Sequence, residues 1–361
     1  MFVTRSTIKV DRSSEARLSH AIIRTALVVI GSAMLALSSG CVRRAPAPIP
    51  TPIVSPTPLH VSSPLNGLSV SPLSTMHRVT AVMIDNYPHD TRPQSGLRGA
   101  DIVYEVEAEG GITRYMALFL ENAPKKIGPV RSTRLYFVDL ARPYQPYLAH
   151  AGENDDVWEP LRELRATGFA DMEEILIAEE AFWRDDTREM PHNLYTSIAR
   201  IREDGPQHGW PDMPYASSAF TFSPAPGVKA APGITVDFWM HYSVRYIFSN
   251  GAYERTIGGV VQHDLGDPTP YRIADVIAVW IPATVIDDQG DLKMDVYGEF
   301  PAVLIRDGVV QEATWVEDDP TEFPRIVDSD RHDIPLEPGQ IYIEVIPQGG
   351  SVTVGNKSWR Y

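Results

Sequence analysis

The residues best equipped for chemistry fall in the first half of the 361-residue chain, in a few short motifs. Asp85-Asn86 closes the apolar run Val79 to Ile84, and Arg92, Gln94 and Ser95 follow in a segment rich in proline and glycine. Glu105, Glu107 and Glu109 alternate with apolar residues, Arg114 lies just beyond a Gly110-Gly111 pair, and Arg131-Ser132-Thr133-Arg134 comes next. His150 and His192-Asn193 complete the set. Carboxylates and imidazoles can move protons, carboxylates can hold a magnesium ion, and guanidinium groups clamp anions with paired N–H donors. Asp85, Glu105, Glu109, His150 and His192 are therefore the candidate catalytic groups. Arg92, Gln94, Ser95, Arg114, Arg131, Ser132, Arg134 and Asn193 are the candidate ligand-binding groups.

The elements that must position these groups can be read from periodicity. Val79 to Ile84 reads as a buried strand whose polar end presents Asp85-Asn86, and Tyr87 to Ala100 as a loop. Asp101 to Leu120 reads as a hairpin turning at Gly110-Gly111, since both central positions of such turns favour positive φ. That turn would put Glu107 opposite Arg114 and Glu105 opposite Met116, with Arg114 amid three carboxylates on one face. The arrangement is either an ordinary cross-strand ion pair or a seat for something cationic. Ser132 is placed to cap a helix through Leu135 and Val138 that ends at Pro143. Arg131 and Arg134 there would either hold phosphate, carboxylate or sulfate, or pair with the hairpin glutamates. Asp155 to Thr167 has a helical stripe of Trp158, Leu161 and Leu164. Ala181 to Arg184 reads as a surface turn, and a short helix through about Glu203 ends at Gly205.

Composition excludes several classes of function. The formal net charge is −15, which disfavours a general nucleic-acid binder. One cysteine allows no intramolecular disulfide and no multi-cysteine metal site. The chain has no phosphate-cradling glycine–lysine loop, dinucleotide fingerprint, paired-histidine zinc motif or nucleophile elbow, and no cofactor is implied beyond a divalent cation on the carboxylates.

Residues 1–40 read as a signal peptide: a basic start, an apolar run from Thr25 to Leu37 and a small-residue end. The run closes on Leu37-Ser38-Ser39-Gly40-Cys41, which resembles a lipobox with Ser38 where a large aliphatic is usual. Lipidation of Cys41 would anchor the protein to the outside of the cell membrane. Cleavage before Cys41 removes five basic and two acidic side chains, taking the net charge from −15 to −18. Residues 41–75 read as the anchor and a Pro-rich linker, an extended spacer rising about 3.1 Å per residue.

The folded part divides into an N-terminal mixed α/β sheet domain over 76–225 and a β-rich C-terminal domain over 230–361, an α+β chain overall. In the second domain Val244 to Ser249 and Ala252 to Ile257 flank Asn250-Gly251, a strong hairpin signal. Further short strands follow to Val354, a spacing that implies a β-sandwich or small barrel with its aromatics in the core.

Several ordered motifs together resemble the YerB-like family of bacterial lipoproteins: Met83-Ile84-Asp85-Asn86, Arg92 to Leu97, Ala100 to Glu105, Glu109 to Arg114, Ile127 to Ser132 and Pro191 to Tyr195. Tyr253-Glu254-Arg255 and Leu336 to Gln340 are similar to that family's second domain, so the resemblance spans about 76–350. It implies a two-domain, membrane-anchored extracytoplasmic protein, with no settled activity. After His150 this chain has Ala151-Gly152-Glu153-Asn154 where the family usually has a Gly-Gly-Ser run.

Two functions follow as expectations. The first is a cell-envelope ligand-binding or assembly module, with an Arg/Glu cleft in the N-terminal domain and an anionic envelope ligand or a protein as partner. The second is an envelope enzyme acting on a phosphorylated lipid or glycan. Both expect Arg92, Arg114 and Arg131 to converge on one cleft with Glu105 or Glu109.

Overall fold

The computed structural model describes residues 59–224, 233–239 and 242–361. The segment read as a signal peptide, Cys41 and the Pro-rich stretch up to residue 58 lie outside these residues. Within the segment assigned to the linker, Val61–Ser62 and Ser69–Val70 pair as a small ribbon. Leu65 between them is fully buried, and Asn66 donates to Asp101 at 2.6 Å.

The first half builds β1 (Thr80–Asp85), β2 (Ile102–Glu109), β3 (Ile112–Phe119), α1 (Leu135–Ala141), β4 (Tyr147–His150), α2 (Asp155–Ala166) and β5 (Ala170–Glu173). The strand order is β2-β3-β1-β4-β5, with β1, β4 and β5 parallel and β3 antiparallel to both neighbours. β1 is buried at every position, as a strand covered on both faces must be. The Gly110-Gly111 turn forms with φ of 60° and 77°.

The hairpin register differs from the expected one by a single residue. Glu105 faces Tyr115, Val106 faces Arg114 and Glu107 faces Thr113, after which the register shifts and Glu109 faces Ile112. The shift is a bulge at Ala108, and it splits the acidic row. Glu105 keeps the face of Val103 and Tyr115, whereas Glu109 bonds Arg114 over the face of Val106.

Other local expectations also change. The cap of α1 is Arg134 rather than Ser132, without a side-chain cap bond. On α2 the buried residues are Val157 and Leu161, while Trp158 is 46% exposed. Ala181 to Arg184 is not a surface turn: Phe182–Arg184 forms β6, pairing with Leu194–Thr196, β7, and Ala181 and Phe182 are buried. α3 (Ile198–Asp204) follows, with the Ser197 hydroxyl accepting from the Arg200 N–H.

The second half adds β8 (Ile234–Trp239), β9 (Tyr242–Ser249), β10 (Ala252–Ile257), β11 (Ile273–Trp280), β12 (Gly298–Arg306), β13 (Val309–Glu317), β14 (Gln340–Ile346), β15 (Ser351–Val354) and β16 (Lys357–Arg360). Asn250-Gly251 makes the β9–β10 turn with φ of 51° and 75°. These strands do not form a separate sandwich or barrel. β14 runs parallel to both β11 and β2, pairing Ile341 with Ile102 and Glu344 with Glu105. One sheet therefore continues through β16-β15-β8-β9-β10-β11-β14-β2-β3-β1-β4-β5, with β12 and β13 branching from β11. β14 is buried along its whole length, so each of its edges and faces needs a neighbour. The two apolar layers each draw residues from both halves, as with Val82, Tyr115, Val276 and Tyr342 in one and Met83, Val106, Ile277 and Ile343 in the other.

Candidate functional site

Asp85 ends β1 at the carboxyl edge of the parallel strands, where open α/β sheets collect ligands. Its Oδ1 accepts the Tyr87 N–H at 2.9 Å, and its Oδ2 meets His192 Nδ1 at 2.8 Å and Arg131 Nε at 3.1 Å. The segment carrying Arg131 is wedged between β1 and β4: its N–H donates to the Met83 carbonyl, and its carbonyl accepts from the Ala151 N–H. The His192 ring stacks on Tyr87, with centroids 5.2 Å apart and planes at 22°. Gln94 donates from Nε2 to the Asp85 carbonyl and to Asn86 Oδ1, fixing the turn out of β1.

Asp85 is 4% exposed, His192 16% and Arg131 28% by side chain. With Nδ1 directed at a carboxylate, Nε2 carries the lone pair of the neutral ring. That Nε2 makes no hydrogen bond among the described residues, and neither does any guanidinium nitrogen of Arg131, whose Nε meets Asp85 as an ion pair alone. His192 lines a hollow of about 470 Å³ together with His89, Asp90, Arg188, Glu189 and Met190. Arg188 supports its wall by donating from Nη1 to the Thr91 carbonyl and from Nη2 to the Pro93 carbonyl.

Arg114 and Arg134 are differently placed. Glu109 accepts from Nη2 of both, at 2.7 Å in the case of Arg134. Their Nη1 atoms donate to the carbonyls of Ser132, at 3.1 Å, and Thr133, at 2.7 Å. Arg134 Nε also lies 3.8 Å from Asp291. Burial, aided by the like charge of Arg134, pulls the Arg114 guanidinium below its usual range against the pull of Glu109. These two arginines lock the hairpin to the start of α1. Ser132 contributes its carbonyl there and not a helix cap.

Asn86, one residue beyond Asp85, turns to the opposite face. Glu105 Oε1 accepts there from Asn86 at 3.0 Å, Thr113 at 2.6 Å and Tyr242 at 2.6 Å. Its Oε2 pairs with Arg255, whose guanidinium also approaches the rings of Tyr115, Tyr246 and Tyr342. Burial tends to lower the Arg255 pKa, but Glu105 with Tyr115, Tyr246 and Tyr242 holds it well above its usual value. Glu344 accepts from the Tyr246 hydroxyl, and burial with the nearby Glu105 pushes its carboxyl well above the usual range. Arg92 bonds Asn86 at 2.7 Å and 2.9 Å and lies over the Tyr242 ring, beside a second hollow of about 430 Å³. Arg92 and Glu105 thus occupy one face of the sheet, and Arg114, Arg131 and Glu109 the other. The expected convergence of all three arginines on one cleft does not occur, because the bulge and the alternation along β1 send them apart. Arg255, Glu344 and Tyr242 were missed as partners of Glu105; the available signal was a charge set inside apolar strand runs, as in Ile343-Glu344-Val345.

The remaining candidates are structural supports. His150 is fully buried, with Nε2 at 2.6 Å from Asp171 and Nδ1 at 3.0 Å from the Gly152 carbonyl. Burial lowers its pKa, but Asp171 outweighs this and the net shift is upward. Asp171 in turn lies 3.0 Å from Arg165. Burial also raises the Glu153 carboxyl, whose Oε2 lies 3.9 Å from His150 Nδ1. Ser95 exchanges backbone hydrogen bonds with Gly128, and Asn193 accepts from Arg184 at 3.1 Å. Among the described residues no group of three or more His, Cys, Asp and Glu could hold a metal ion. None of their helices is long and apolar enough to cross a membrane.

Comparison with known proteins adds to this geometry. Residues 65–211 match the N-terminal domain of a protein family of unknown function, DUF3048, and residues 234–343 match its C-terminal domain. The chain is 31% identical over 302 residues to the putative lipoprotein YerB of Bacillus subtilis (strain 168), covering 81% of this chain and 88% of that protein. The crystal structure of YerB from Bacillus subtilis matches with a TM-score of 0.73 and 28% identity, covering 81% of this chain and 99% of that one.

Proposed function

We propose that this chain, which belongs to the DUF3048 family, is an envelope protein tethered through Cys41 that binds a small anionic ligand on Arg131, beside the Asp85–His192 pair. The likeness to a putative lipoprotein supports the tether. A guanidinium with Nε on Asp85 and both Nη atoms without a partner among the described residues carries the binding reading. Arg114 and Arg134, by contrast, have their terminal nitrogens on Glu109 and backbone carbonyls. A fork of unpaired N–H groups matches the oxygens of phosphate, sulfate or carboxylate.

Titration calorimetry of the full chain with inorganic phosphate tests the reading. Binding is expected for the wild type and a loss of at least tenfold in affinity for Arg131→Gln. Absence of binding by the wild type, or unchanged binding by the variant, overturns it. Palmitate labelling that marks the wild type and spares Cys41→Ser would support the tether.

A further inference from the structure

We propose that His192 is the proton acceptor in hydrolysis of a phosphodiester held on Arg131, an inference that rests on the anion-binding reading above. Asp85 Oδ2 lies 2.8 Å from Nδ1 of His192 and 3.1 Å from Nε of Arg131, so base and clamp are fixed to one oxygen atom. The stack on Tyr87 fixes the plane of the imidazole, and Nε2 remains the ring atom able to take a proton. The ring borders a hollow of about 470 Å³, large enough for a phosphate ester and water; Arg131 is not among the residues that line it and is joined to the ring through the shared Asp85 oxygen. His150 provides an internal contrast: it also bonds an aspartate, but its second nitrogen is on a backbone carbonyl and the side chain is fully buried.

Charge narrows the substrate class. Arg131 is offset by Asp85, and Arg188 on the rim stands with Asp90 and Glu189, so these five groups sum to one negative charge. A singly charged diester suits such a site better than a doubly charged monoester. Tyr87 and His89 also face it, and Arg114, paired with Asp85 across the strands, lies within electrostatic reach of both Asp85 and Arg131. In the reaction a water oxygen attacks phosphorus while its proton passes to His192 Nε2. The bond from phosphorus to the ester oxygen then breaks, and the leaving oxygen takes the proton from the imidazolium. The products are a phosphomonoester and an alcohol, and His192 returns to its neutral form. Asp85 acts as a positioning residue that holds the tautomer and orientation of the ring.

The test uses the purified full chain, bis(4-nitrophenyl) phosphate and EDTA. The wild type is expected to release nitrophenol at a rate that falls on the acid side through one ionisation. His192→Asn keeps an N–H for Asp85 and lacks Nε2; it is expected to lose at least ~100-fold in kcat with little change in KM. Asp85→Asn is expected to lower kcat and displace the acid limb of the profile, which a merely structural aspartate would not do. Calorimetry with dimethyl phosphate separates the failures. If the wild type binds this diester without cleaving the substrate, or if His192→Asn cleaves as well as the wild type, the hydrolytic inference falls and the binding reading stands. If the wild type binds neither dimethyl phosphate nor inorganic phosphate, both fall.

Discussion

Glu105 and Arg255, 150 residues apart in the chain, form an ion pair in which the side chains are 0% and 1% exposed. One comes from β2 and the other from β10, so the pair ties the two halves across the sheet. Removing one member of a buried pair leaves an uncompensated charge, which costs about 3–5 kcal/mol. Arg255→Met is expected to destabilise by that amount in chemical denaturation, and the double variant with Glu105→Leu to recover much of it. Losses that simply add would show that the two charges do not act as a unit.

The arginines at the carboxyl edge should separate by role. Glu109→Gln removes the charge shared by Arg114 and Arg134, which are 4% and 7% exposed by side chain, and should lower stability by about 1–3 kcal/mol while phosphate still binds. Arg131→Gln should do the reverse, abolishing binding with the smaller stability change, about 1 kcal/mol, since Asp85 keeps His192 and the Tyr87 N–H as partners. Denaturation and calorimetry on the same two variants give the comparison. Loss of binding in Glu109→Gln alone would move the anion to Arg114 and Arg134.

Glu317 offers a pH test far from the site. It is 1% exposed, accepts from Trp315 Nε1 at 3.2 Å, and burial pushes its carboxyl up to about 8. The folded protein therefore holds a proton that the unfolded chain releases in the ordinary carboxylate range. The stability this confers is fully present below that range and falls as pH rises toward 8, by about 1.4 kcal/mol per unit from this group. Glu317→Gln should flatten that part of the stability profile and leave the protein more stable than the wild type above pH 8. Parallel profiles for the two proteins between pH 5 and 9 would contradict the assignment (a window spanning roughly the ordinary and raised ionisations).

Gly128 joins the loop bearing Ser95 to the segment bearing Arg131. Its φ is 143°, and an added Cβ would sit 2.8 Å from the Leu194 carbonyl oxygen and 2.9 Å from the Val130 nitrogen. Gly128→Ala should cost about 1–3 kcal/mol and speed amide exchange at Ser95 and Arg131. At Gly110 nothing lies within 4 Å and φ is +60°, so alanine there meets only the left-handed backbone penalty of about 1 kcal/mol. Equal effects at the two positions would rule out crowding as the cause.

The local elements were legible because their signals are local. The apolar run before Asp85, the glycine pair at 110–111 and Asn250-Gly251 each specify a strand or a turn from neighbouring residues alone. Asp85 and His192 could be named as chemical groups from their type and motif. That they meet could not be read, since 107 residues separate them. Strict alternation puts Glu105 and Glu109 on one face because it assumes an unbroken pleat, and the extra residue at Ala108 breaks it.

What the amino-acid order determined by itself was the α+β character, the strand before Asp85, the turns at Gly110-Gly111 and Asn250-Gly251, and the stock of guanidinium, carboxylate and imidazole groups. Tertiary structure decided which edges joined, placing β14 between β11 and β2, and therefore which charges were buried together and which were left with open donors. The physical reason is range. Backbone preference and hydrophobic period act over a few residues, whereas strand partnership and ion pairing depend on which distant segments bury each other's surfaces.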